Sequence, residues 1–135
     1  MELYELLPDF RNDSIRWTEF MNDSLQHLEH FPGCRVAMDN VLYAIDVLRN
    51  SAGLFGLGHV IELADGMESA MTQMSSQREL FDNASIPLLL SCCAHLRMLI
   101  EQTDPDWVRA ERFEIESMEQ ALLGQLGECG HALHV

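Results

Sequence analysis

A group of charged and amide side chains near the centre of the chain has helical spacing. Arg49 and Asn50 follow Asp46 by three and four residues, which brings side chains together on one face of a helix. Glu68 follows Asp46 by 22 residues. If the two regions form a helical hairpin, two carboxylates face each other with Arg49 beside them. Such a group can form an anionic patch or hold Mg²⁺ weakly, but a solvated acidic face is the simpler interpretation, which we favour.

Histidines are the other side chains with possible nucleophilic chemistry. They include His27 and His30 near the end of the first predicted helix, His59 after a glycine-rich turn, and His95 on the fourth helix. An exposed imidazole can accept a phosphoryl group, and histidines also bind metals, but spacing alone supports neither role here. The sequence has no Cys-x-x-Cys, nucleophilic triad or phosphate-binding loop. We therefore predict no catalytic residue, no cofactor and no metal site.

Amphipathic helices must position these side chains. Apolar residues recur with a 3.6-residue period in five stretches, while the alternation typical of strands is absent. The predicted bounds are 13–31, 35–53, 57–76, 84–102 and about 105–126. The solvent-facing stripe of the second helix is predicted to contain Asp39, Tyr43, Asp46, Asn50 and Gly53. The pattern predicts an all-α fold: an antiparallel, up-down-up-down four-helix bundle with an additional C-terminal helix.

The chain ends and helix junctions carry further signals. Asn12 or Asp13 is expected to cap the first long helix. Before it, a short apolar pattern that ends at Pro8 is expected to form a loose first turn or a small lid helix. Glycines at 53, 56 and 58 are expected to allow a tight reversal between the second and third helices. We expect a single domain over 1–135, with its core within about 13–126 and a frayed tail at 127–135.

The region around Asp46 resembles the histidine-containing phosphotransfer (HPt) domain, closest to that of CheA-type chemotaxis kinases. The family motif reads roughly His-x-x-Lys-Gly-(Ser/Gly)-Ala-Gly-x-x-Gly, with a Met-Glu pair one helix later. The matching residues here are Ser51, Ala52, Gly53, Gly56, Met67 and Glu68, with Arg49 in place of Lys. Asp46 stands where the family carries the phosphorylated His, and Asn50 replaces a Gly that allows close approach of a partner.

The resemblance implies an HPt-like signalling module of a two-component or chemosensory phosphorelay that has lost phosphate acceptance. It would bind a response-regulator receiver domain or a histidine kinase as an adaptor or competitor. The surface expected to bind this partner comprises Tyr43, Asp46, Arg49, Asn50, Gly53 and Glu68. Two alternatives remain open: an active phosphotransfer protein that uses another histidine such as His59, and a purely structural helical interaction module.

Charge and composition limit the other classes of function. The formal net charge is −14, and all eight basic residues are Arg. This surface disfavours nucleic acid and anionic membranes and suits a partner with a basic docking surface, although solubility alone explains the bulk charge. No apolar run is long enough to span a bilayer. The use of the four cysteines fits a reducing compartment. The acidic start of the chain lacks the pattern of a secretion signal, so we expect a cytoplasmic protein.

Overall fold

Every element that the structure describes is α-helical. The computed structural model describes residues 6–76, 85–103 and 119–127. The four long helices are α1, Leu7–His30; α2, Arg35–Leu54; α3, Gly58–Ser76; and α4, Ser85–Glu101. Residues 119–127 are also helical. The all-α prediction is therefore confirmed, and the bounds predicted for the second, third and fourth helices agree with the structure to within one residue. The rest of the predicted fifth helix and the tail at 128–135 lie outside the described residues.

The first helix begins earlier than the sequence pattern predicts. Pro8 lies in the first turn of α1, where a missing backbone N–H costs little. The helix therefore continues through Asn12 and Asp13, which are exposed positions within it. The prediction that one of these two residues caps the helix is wrong. The early start places Phe10 against Phe55, with their ring centroids 4.8 Å apart, so the start of α1 lies beside the end of α2.

The helices pack in neighbouring pairs around a shared apolar core. Among the described helices, α1 packs against α2 and α4, and α3 packs against the same two helices. The core of α3 is rich in methionine, because Met67, Met71 and Met74 are fully buried. Flexible thioethers fill irregular interior space well. On α1 the buried face includes small polar residues, and the backbone carbonyl of Thr18 accepts a hydrogen bond from the Cys93 thiol at 3.3 Å.

The turn between α2 and α3 depends mainly on one glycine. Gly56 has φ +65°, the left-handed conformation that glycine adopts without steric cost. Around it, the Leu57 N–H donates to the Ala52 carbonyl at 3.1 Å, and the Gly56 N–H donates to the Gly53 carbonyl. This pair of bonds is the Schellman arrangement that satisfies the last carbonyls of a helix. The reversal brings the outer faces of α2 and α3 side by side.

The described helices lack the combination of length and apolar character that a bilayer crossing requires.

Candidate functional site

Asp46 lies on the solvent-facing stripe of α2, as predicted. The apolar side of this helix, which includes Val41, Ile45 and Leu48, is buried in the core. The opposite side is exposed at each of the five positions predicted from the sequence. Because a 3.6-residue period separates the two sides, the Asp46 side chain projects outward and remains 53% exposed.

Arg49 connects Asp46 to the neighbouring helix. Its Nη2 lies 2.5 Å from Asp46 Oδ1, one turn away on α2. Its Nη1 contacts Glu68 on α3 and lies 3.2 Å from Asp65 Oδ1 on the same helix. One guanidinium therefore pairs with three carboxylates from two helices. We refer to Asp46, Arg49, Asp65 and Glu68 as the arginine cluster.

The arginine cluster agrees with the sequence analysis in part. Arg49 does lie between Asp46 and Glu68, as the hairpin prediction requires. Asn50 also contacts Asp46, with its Nδ2 at 3.5 Å from Asp46 Oδ2. Asp65 was missed, although it precedes Glu68 by three residues and so shares a helix face with it. The cluster carries one positive and three negative groups, so it is an anionic surface with a cation at its centre.

An aromatic group lies next to the arginine cluster. Tyr43, one turn before Asp46, is 60% exposed. Its ring meets Trp17 of α1 edge-on, with centroids 5.5 Å apart, and Trp17 in turn meets Phe20 at 5.7 Å. Exposed aromatic side chains beside charged groups are typical of protein interfaces. This surface therefore extends beyond the predicted residues on α2 and α3, because it also includes Trp17 and Phe20 on α1.

Gly53 continues this surface towards the α2–α3 turn. It is exposed, and a Cβ added to it would meet no other atom within 4 Å. The helix therefore does not need a glycine there for packing within the chain. Of the six residues predicted to bind a partner, Tyr43, Asp46, Asn50 and Gly53 are exposed, and Arg49 and Glu68 are partly buried beside them.

A second polar group lies at the start of α3. His59 is 28% exposed, and its Nδ1 is 2.6 Å from Oε2 of Glu119, whose side chain is only 1% exposed. The sequence analysis identified His59 but not Glu119. No local pattern could have paired them, because they are 60 residues apart and their contact depends on how the segment 119–127 packs on α3.

Other titratable groups are buried in the core. Burial raises the pKa of Cys92 to about 12, with a further increase from neighbouring Cys93. Burial also raises the pKa of Cys93 to about 12, partly offset by Arg97. Both thiols therefore remain protonated at neutral pH and are poor nucleophiles. Within the described part of the chain the cysteines at 34, 92 and 93 are free, so no disulfide stabilises it.

Comparisons with protein-family models, with curated proteins and with solved structures gave no match.

Proposed function

We propose that the chain is an HPt-like antiparallel four-helix bundle that acts as a docking module in a two-component or chemosensory phosphorelay. In this proposal it binds a receiver domain or a histidine kinase without carrying phosphate at the position its relatives use. The observation that supports it best is the setting of Asp46. This carboxylate is exposed on α2, where the resembling domains carry the phosphorylated imidazole, and Arg49 holds it in place.

The setting of Asp46 argues against phosphate acceptance by that residue. Phosphorylation of an aspartate in a receiver depends on Mg²⁺ held by several acidic groups in a concave pocket. Asp46 instead projects from the outer face of a helix. Its oxygens contact the guanidinium of Arg49 and the amide of Asn50, which compete with any incoming ion. The side chain therefore serves as a recognition group rather than a nucleophile.

The neighbouring surface favours protein docking. Tyr43 on α2, together with Trp17 and Phe20 on α1, offers aromatic area at low conformational cost. The arginine cluster adds a charged centre. Its excess of carboxylates complements a partner whose docking surface is basic. A module of this kind would compete with a true phosphotransfer domain for the same partner.

Restoring the missing residues tests this function. Wild-type chain and the Asp46→His, Asn50→Gly double variant are incubated with labelled phosphorylated receivers and with active histidine kinases. We expect the wild type to form a complex without taking label and the double variant to gain an acid-labile label. Asp39→His, which places an imidazole on the same exposed stripe, is the matched control and should gain none.

Two outcomes would reject the proposal. Stable histidine phosphorylation of the wild type would show that the chain is itself a phosphotransfer protein. Partner binding that is unchanged by Asp46→Ala and Asn50→Gly would favour a purely structural helical module, in which the resemblance is only architectural.

His59 supports a second candidate function, an active phosphotransfer protein. In HPt domains a glutamate orients the reacting imidazole through a hydrogen bond. Glu119 lies within such a bond of His59 Nδ1, at 2.6 Å, while His59 keeps partial exposure. Under this candidate the wild type takes an acid-labile label that is lost in His59→Gln and kept in His30→Gln.

A further inference from the structure

Three potential metal ligands meet where α3 contacts the helical segment 119–127. His59 and Glu62 are three residues apart in the first turns of α3 and therefore share one face of the helix. Glu119 comes from the segment packed on that face. One imidazole nitrogen and one oxygen from each carboxylate all lie within 4.8 Å of one another. This separation is suited to a single ion bound by all three side chains.

The types of ligand select a class of ion. Imidazole nitrogen suits Zn²⁺ and other borderline transition metals, whereas Mg²⁺ and Ca²⁺ favour sites made of oxygen alone. Two carboxylates and a neutral imidazole carry two negative charges, which balance a divalent cation. We propose that His59, Glu62 and Glu119 bind a divalent transition-metal ion of the Zn²⁺ type, which joins α3 to the segment 119–127. This proposal goes beyond the docking function and replaces the sequence-based prediction of no metal.

The exposure of the ligands supports an accessible but protected site. Glu119 is almost fully buried, His59 is partly buried, and Glu62 is exposed. The site therefore opens to solvent on the side of Glu62, which gives an ion a path of entry. Three protein ligands leave a fourth tetrahedral position for water or another group.

A buried histidine lies on the neighbouring helix α4. The His95 side chain on α4 is 5% exposed, and its Nε2 has no hydrogen-bond partner in the part of the chain that is described. A buried ring nitrogen in this state is uncommon in native proteins. Burial lowers the pKa of His95, and the neighbouring His59 lowers it further.

Close packing of the segment 119–127 against α3 holds the third ligand in place. Gly66 lies about one turn beyond Glu62, and a Cβ added there would come within 2.7 Å of Leu123 Cδ2 and 3.3 Å of Leu126 Cδ1. The segment 119–127 therefore packs closely against α3 at this glycine. Such contact fixes Glu119 relative to His59 before any ion binds, which lowers the cost of assembling the site.

Zinc titration of the full chain tests the site. The protein is freed of metal with a chelator, and Zn²⁺ binding is followed by calorimetry. We expect one Zn²⁺ per chain and at least a tenfold weaker affinity in both His59→Gln and Glu62→Gln. Asp39→Asn removes an exposed carboxylate from α2, outside the three proposed ligands, and is the matched control, so its affinity should equal that of the wild type. Glu62 is exposed, so its replacement tests the site without the effect on folding that a change at the buried Glu119 could have.

A competing site must be distinguished from this one. His27, His30 and Cys34 line a groove at the α1–α2 turn and could take up zinc through a thiolate. Co²⁺ is therefore added as a spectroscopic probe, and we expect a spectrum of nitrogen and oxygen ligands without a sulfur-to-cobalt charge-transfer band. No zinc binding, binding unchanged by Glu62→Gln, or a thiolate band abolished by Cys34→Ser would each overturn the proposal.

Discussion

Replacing Arg49 by Gln should destabilise the protein, because it leaves three carboxylates from two helices without their shared cation. Asp46 on α2 and Asp65 and Glu68 on α3 all contact this one guanidinium. An ion pair near the surface contributes about 0.2–1 kcal/mol to stability. The Arg49 side chain is only 26% exposed and makes three pairs, while its partners remain accessible to solvent. Together these contacts predict a loss of about 1–2 kcal/mol in the free energy of unfolding.

The geometry of the Arg49 contacts also predicts the effect of the conservative change Arg49→Lys. Arg49 donates from Nη2 to Asp46 and from Nη1 to the carboxylates of α3, so its guanidinium bridges the two helices. Lysine has the same charge on a single ammonium group and cannot reproduce this two-sided contact. Arg49→Lys should therefore recover only part of the stability lost in Arg49→Gln.

Urea unfolding followed by far-ultraviolet circular dichroism measures both effects. Arg97→Gln is the control, since Arg97 is more exposed and pairs with two carboxylates, Glu19 and Glu101. We expect a smaller loss for that variant. The difference between wild type and Arg49→Gln should also shrink in about 1 M salt, where charges are screened beyond roughly 3 Å. A loss no larger than that of Arg97→Gln, or one that high salt leaves unchanged, would refute the reasoning.

Two further predictions concern the turn and the buried thiols. Gly56→Ala should lower the free energy of unfolding by about 1–2 kcal/mol, because Gly56 has a φ of +65°. Gly53→Ala should instead raise it by roughly 0.5–1 kcal/mol, because Gly53 lies in open space on α2. Urea unfolding of the two variants measures both changes. Cys92 and Cys93 ionise near pH 9 when unfolded but near 12 when folded. Stability should therefore fall as the pH rises from 9 towards 12, and the urea midpoint should fall less in a Cys92→Ala, Cys93→Ala double variant.

The helices could be predicted well because their periodicity is local. The buried and exposed sides of α2 follow from the order of its own residues, and this placed Asp46 on the surface. The hairpin spacing also placed Arg49 between Asp46 and Glu68. The start of α1 could not be predicted in the same way, because Pro8 is equally compatible with the end of a turn and with the first turn of a helix. The contact of Phe10 with Phe55 favours the second arrangement.

The site at the start of α3 could not be predicted because its ligands come from distant parts of the chain. His59 and Glu62 form a local pair that a helical pattern can reveal. Glu119 joins them only because the segment 119–127 packs against α3 at Gly66. Glutamate is also among the residues that are rarely buried, so nothing about its type indicates 1% exposure.

The arginine cluster and the proposed metal site both include residues of α3, and this helix links them mechanically. One face of this helix carries Asp65 and Glu68 towards Arg49 on α2. Another carries His59 and Glu62 towards the segment 119–127. Between them lies a fully buried face of leucine, alanine and methionine, so the helix cannot rotate to improve one set of contacts without disturbing the core and the other set. An ion that holds α3 against 119–127 would therefore also restrain the carboxylates that position Arg49, and through it the exposed carboxylate at Asp46.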